Sequence, residues 1–261
     1  IAKKIIRALR DGIPPEVGQE RIAEGIDRYV KELCEKELGG VATERESAYR
    51  FVRGPYGAGK SFLAAKVLAD ARAKGFVTAH VEITKDRGFA SGNIFPDIIK
   101  AIRTKERTYA PAFEDVLDRL RQHIADQVRT FDHAKPTSSH GRIHFERRLD
   151  EVLEAIQPFG AKFVGQLRAY TMAVLDSKVD ESNELLAKLT KEVESADKRR
   201  EEIKGSGLTS FFSMFTRLFE AAGFRGFTVV FDSLQRICDM DKRAVEKNLE
   251  KIEDFLKELK S

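Results

Sequence analysis

The sequence predicts an α/β fold, a parallel sheet core with a large helical insertion. Three observations carry that prediction. A glycine-rich stretch, Gly54 to Gly59, lies between a strand-like run and a helix-like one. A continuous apolar run, Phe227-Thr-Val-Val-Phe231, ends in Asp232, the pattern of a strand buried on both faces of a parallel sheet. Between them, roughly residues 93–204, amphipathic stripes at helical spacing follow one another.

Taken in order, residues 1–12 read as a short helix with Ile5, Ile6 and Leu9 on one face, broken by Gly12-Ile13-Pro14-Pro15. Ile22, Ile26, Tyr29, Val30 and Leu33 recur at helical spacing over 19–38, and Gly39-Gly40 is expected to end that helix. Ala48 to Arg53 reads as a strand, Lys60 to Lys74 as a helix stopped by Gly75, and Phe76 to Ile83 as a second strand. Strand, loop, helix and strand make a βαβ unit with a right-handed crossover. In the middle, Phe113, Val116, Leu117, Leu120, Ile124 and Val128 form one stripe. Thr130 to Arg142 reads as a loop, followed by stripes at Phe159, Phe163, Leu167, Tyr170, Val174 and Leu175, and at Leu185, Leu186, Leu189 and Val193. The alternating charges of Asp197 to Lys204 suit a solvated helix end. Residues 208–222 form an apolar helix, Gly223 to Gly226 a turn, and residues 241–260 a charged amphipathic helix.

Composition bounds the function classes. The chain has 261 residues, 42% hydrophobic and 34% charged, enough for a substantial core. A net charge of +4 and pI near 8.9 permit contact with nucleic acid without arguing for it. Cys34 and Cys238 show no metal or redox spacing, so a reduced, cytoplasmic protein is expected. No apolar run approaches the ~20 residues of a membrane span. The chain begins at Ile1, and a longer parent protein is expected.

The glycine-rich stretch carries the chemistry. Gly54-Pro55-Tyr56-Gly57-Ala58-Gly59-Lys60-Ser61 satisfies the G-x-x-x-x-G-K-[ST] phosphate-loop pattern, and Phe62 follows on the helix. A bound triphosphate loses water, so successive backbone amides must point inward, and glycines allow that turn. The following helix turns its N-terminus toward the anion. Lys60 supplies a point charge near the β and γ phosphates, and the Ser61 hydroxyl a hard oxygen for Mg²⁺. ATP with Mg²⁺ is the expected ligand. Asp232 is the expected second metal partner, because ligands collect at the carboxyl ends of parallel strands. Many such ATPases place a Glu after that Asp to handle the attacking water. Here Ser233, Leu234 and Gln235 follow, so weak hydrolysis or none is expected. Glu82 and Asp86 are possible substitutes, each better explained as structural.

Several segments together resemble the ATP-binding proteins of BREX phage-defence systems, an AAA+-like P-loop NTPase family. They are Ala8-Leu9-Arg10-Asp11-Gly12-Ile13-Pro14-Pro15, Phe51 through Ser61, Gly75-Phe76-Val77, and Gly223 through Asp232, with a long helical insertion before the last. The resemblance implies an ATP-dependent component of an anti-phage system that acts on DNA with other defence proteins. It also places the Gly12–Pro15 turn near adenine, with Ile13, Pro14 and Val17 as a candidate apolar wall. On this reading 1–103 holds the N-terminal helices and the loop half of the nucleotide-binding domain. Residues 104–204 are the helical insertion, and 205–261 the remainder with the acidic strand. Two departures stand out. The family pattern has Glu where Ser233 stands. A full AAA+ core also continues past the acidic strand with further strands and a helical lid, whereas 29 residues follow Asp232 here (261 minus 232). Truncation is the expected reason, and the three strands recognised leave an open sheet edge. AAA+ relatives often form rings, so a homo-oligomer is possible.

Smaller constellations read blandly. His133, His140 and His144 lack a fourth metal ligand. Arg142, Arg147, Arg148 and Arg168 are diluted by Glu146, Asp150 and Glu151, which favours a mixed-charge surface over a DNA face. Arg50 and Arg53 are read as structural. Two further function classes remain open: a non-hydrolysing nucleotide scaffold whose insertion docks partners, and a small-molecule or nucleoside kinase.

Overall fold

The computed structural model describes residues 27–44, 47–55, 57–90, 94–156, 161–195 and 207–259. The expected helix at 1–12, the turn holding Ile13 and Pro14, Tyr56, Phe159 and the 197–204 charge run lie outside these residues. The molecule is mixed α/β, mostly helical, with one three-stranded sheet.

Helix α1 (Asp27–Glu44) turns Val30, Cys34 and Leu38 inward at i, i+4 and i+8. These pack with Ala71 and Phe76 in a small core beside the main one. The helix does not stop at Gly39-Gly40, as the sequence suggested. Val41 and Ala42, one turn further, pack on the same cluster, and that contact outweighs the cost of roughly 1 kcal/mol per mid-helix glycine. Helix α2 (Lys60–Ala73) ends as expected, with Gly75 at φ 88°.

The sheet has the order β2-β1-β3. Its centre is β1 (Val77–Glu82), inside the expected strand. After helix α3 (Ile94–Lys100), the two-residue β2 (Ile102–Arg103) runs antiparallel to β1. Strand β3 (Phe227–Asp232) runs parallel to β1 in a register that pairs Val77 with Phe227 and Glu82 with Asp232. Two corrections follow. Ala48 to Arg53 forms no strand; it is irregular chain, with Phe51 63% and Val52 50% exposed, so the sheet lacks the first strand of the expected βαβ unit. Nor is β3 buried on both faces. All six of its residues are half-buried, because among the described residues it pairs on one side only.

The helical middle comprises α4 (Phe113–Phe131), α5 (Ser139–Ile156), α6 (Ala161–Leu175) and α7 (Val179–Ser195). Every member of the first predicted stripe is buried, from Phe113 at 6% exposed to Val128 at 0%. The expected 130–142 loop shrinks to 132–138, since α4 continues to Phe131 and α5 begins at Ser139. Helix α8 (Gly207–Ala221) joins these helices to the sheet. Phe211, Phe215 and Phe219 recur every four residues along it, with ring centroids 4.5 and 5.6 Å apart in sequence. Phe219 lies 4.9 Å from the Phe227 ring of β3, and Phe212 lies 5.2 Å from Phe255. Phe255 belongs to α9 (Lys242–Glu258), which follows a short 3₁₀ helix, Leu234–Asp239. One hydrophobic cluster thus runs from β1 through all the central helices, and its stacked rings add packing energy beyond their buried area.

A candidate nucleotide site

Alternation sorts the sheet into two faces. Val77, Ala79, Val81, Phe227, Val229 and Phe231 turn toward the main core. Thr78, His80, Glu82 and Asp232, the register partner of Glu82, lie on the opposite face, where Arg72 of α2 donates to the Thr78 hydroxyl at 3.0 Å. That bond fixes the last turn of α2, while Ser61 in its first turn approaches Asp232 at the carboxyl end of β3.

The glycine-rich loop enters that helix through two left-handed residues, Gly57 at φ 78° and Gly59 at φ 81°. A side chain at either would strain the backbone. The Gly59 carbonyl accepts the first helical bond, from the Leu63 amide at 2.9 Å. No described side chain caps this end of α2, so its first-turn amides and the positive end of its dipole face the loop. The Lys60 ammonium donates to the carbonyls of Gly54 at 2.9 Å and Pro55 at 2.8 Å. Gly54, Pro55 and Ala58 form the remaining described wall of the loop, and Phe62 is half-buried on the helix.

Ser61 and Asp232, distant in sequence, meet here. The Ser61 hydroxyl neighbours the Asp232 carboxylate and favours its ionised form. The Ser233 amide donates to Asp232 Oδ1 at 2.7 Å, and His80 Nε2 lies 3.4 Å from Oδ2. Burial works against the charged form of Asp232, yet the bonds from Ser61 and Ser233 and the neighbouring His80 outweigh it and hold this carboxyl below the usual carboxylate range. Ser233 itself has φ 62° and turns the chain out of the strand into the 3₁₀ helix. Gln235 is exposed on that helix.

A cavity of about 200 Å³ adjoins the loop, lined by Tyr29 of α1, Val52, Arg53, Gly54, Ala58, Gly59, Lys60 and Leu63. Tyr29, Arg53 and Leu63 therefore join the candidate site, although the sequence marked Tyr29 only as an apolar helix position. His80 was also missed. Only its place in β1, two residues before Glu82 on one face, could have signalled it.

The smaller constellations resolve as ion pairs. Arg142 binds Asp176 and Glu146, Arg148 and Arg147 converge on Asp132, and Arg168 binds Asp150. His144 contacts Asp132 at 3.0 Å and His140 at 3.2 Å. Among the described residues no group of three or more His, Cys, Asp or Glu could hold a metal ion. Arg50 pairs with Glu37, and no described helix is long and apolar enough to cross a membrane.

The family model for the BREX system ATP-binding protein BrxC/D matches residues 1–261, the whole chain. Comparison with curated proteins and with solved structures gave no match.

Proposed function

The chain belongs to the BREX system ATP-binding protein family, and from that premise we propose that Gly54–Ser61 is the phosphate loop of an ATP site in an AAA+-like P-loop domain. The carrying observation is the meeting of Ser61 with Asp232 at the start of an uncapped helix. A hydroxyl and an ionised carboxylate, both hard oxygen donors, are neighbours at the carboxyl end of a parallel strand, which suits Mg²⁺. Those two side chains would hold the ion, and its charge would offset that of the phosphates. Lys60 would clamp the β and γ phosphates, and the amides of residues 57 to 61 would line the oxyanions. Tyr29 and Leu63 offer the adjacent cavity an apolar side for the base.

In this role the chain is an ATP-dependent switch or slow ATPase that works with other components of the BREX system. Residues 104–204, the expected helical insertion, would be where such partners, or DNA, are placed. Ser233 favours a second reading, a nucleotide-holding scaffold that does not turn over.

Equilibrium binding of a fluorescent ATP analogue tests the site. Lys60→Ala removes a charge-assisted contact of about 1.5–3 kcal/mol, so affinity is expected to fall roughly 10- to 150-fold. Unchanged affinity refutes the site. Phosphate release by the unmodified chain then separates the switch from the scaffold.

A further inference from the structure

Ser233 leaves β3 without a carboxylate beyond Asp232, but the neighbouring strand supplies one. Glu82 is the register partner of Asp232 across the parallel β1–β3 pair. Adjacent strands lie about 4.8 Å apart, and both residues end their strands on the same side of the molecule. Residues two apart on a strand share a face. Thr78 is bonded by Arg72 of α2, and His80 contacts Asp232; Glu82 is the next member of that row. It is exposed, whereas Val81 and Ile83 on either side are 4% and 0% exposed and turn into the core. Ser61 approaches Asp232 on this face, so Glu82, the register partner of Asp232, borders the space next to that pair.

The chain after Glu82 is pinned. Thr84 and Arg87 exchange two backbone bonds of 3.1 Å around a tight turn at Lys85 and Asp86. Ala90 is held by Asn248 of α9 at 3.0 Å. Glu82 therefore sits on a rigid strand end, while Asp86 lies out on the turn and off the row.

We propose that Glu82 is the catalytic carboxylate of ATP hydrolysis, an inference that rests on the reading of the loop as an ATP site. A water oxygen bonds to the γ phosphorus as the bond from that phosphorus to the β–γ bridging oxygen breaks. The bridging oxygen leaves with the electron pair as part of ADP. Glu82 takes the proton of the attacking water and returns it to solvent.

The test pairs phosphate release with equilibrium binding of a fluorescent ATP analogue, on the full chain and on Glu82→Gln, Asp86→Asn and Lys60→Ala. Removing a general base costs about 10²- to 10⁴-fold in rate. Glu82→Gln is expected to lose turnover by at least the lower figure while keeping the affinity of the unmodified chain. Asp86→Asn is expected to keep both. Unaltered phosphate release in Glu82→Gln overturns the assignment and leaves the ATP site standing. So does an unmodified chain that binds nucleotide but releases no phosphate. Absence of analogue binding by the unmodified chain, or full affinity in Lys60→Ala, removes the ATP site and this inference with it.

Discussion

Asn248 is the buried polar side chain that ties the C-terminal helix to the turn after β1. It is 3% exposed. Its Oδ1 accepts from the Ala90 amide at 3.0 Å, and its Nδ2 donates to the Ala244 carbonyl at 2.8 Å. Truncation to Ala leaves the Ala90 amide without that acceptor, at a cost of about 1–3 kcal/mol. Taking 2 kcal/mol, a chain of this size should melt roughly 4–8 °C lower. A second substitution sharpens the reasoning. A Cβ on Gly88 would lie 2.4 Å from Asn248 Oδ1 and 3.0 Å from its Cγ. The amide cannot swing aside without giving up both bonds, so Gly88→Ala should cost about 1–3 kcal/mol by itself. With Asn248 already Ala, the obstructing atoms are gone, and Gly88→Ala should cost little more. The double variant should therefore be more stable than the sum of the singles by at least ~0.5 kcal/mol, above the usual scatter of additivity. Thermal or urea denaturation of all four proteins measures the cycle. Strict additivity, or a melting point for Asn248→Ala within about 2 °C of the parent, would refute the clamp.

Other substitutions probe the core, the loop and the thiols. Phe215→Ala empties a fully buried site among Phe113, Phe163, Phe211 and Phe219, and a loss of about 3–5 kcal/mol should appear in urea unfolding. Gly59→Val forces a β-branched residue to φ 81°; about 1–3 kcal/mol of strain and weakened nucleotide-analogue binding are expected. Asp232 titrates below an ordinary aspartate, so its contribution to stability is complete above its unfolded pKa of ~3.9 and disappears as pH falls through the lower folded value. Asp232→Asn should flatten that part of the acid limb in denaturation curves taken below about pH 4. Burial, reinforced by a hydrogen bond with Asp70, pushes the Cys34 thiol up to about 12, whereas Cys238 is exposed. Iodoacetamide at neutral pH should therefore label Cys238 in the folded protein and reach Cys34 only after unfolding, as read by peptide mass spectrometry.

Long periodic segments were legible because burial repeats with the helix. The stripe of Phe113, Val116, Leu117, Leu120, Ile124 and Val128 was read from spacing alone, and each of these six is buried. The acidic strand was legible from its apolar run, and the closeness of Ser61 to Asp232 from the loop pattern followed by that strand. What failed depended on partners the sequence does not reveal. Tyr49, Phe51 and Val52 carry strand propensity, but propensity needs a neighbouring strand to satisfy the backbone, and no described strand pairs with them. Ile102-Arg103 is too short to give a period. Gly39-Gly40 reads as a stop until Val41 and Ala42 are seen packed beyond it. His80 became visible as a neighbour of Asp232 only through the β1–β3 register.

The grip of Lys60 on the carbonyls of residues 54 and 55 makes the loop a latch fastened on itself. At the proposed phosphate site an arriving anion would exchange two neutral acceptors for charged ones, so releasing the carbonyls offsets part of what the charged bonds contribute. Once released, the Pro55 carbonyl keeps the Ala58 amide at 3.3 Å and the Gly54 carbonyl would turn to water, so the hydrogen bonding of this segment would change on the proposed ligand capture. Amide exchange or a reporter dye placed there would register occupancy even when no bond in the ligand is broken.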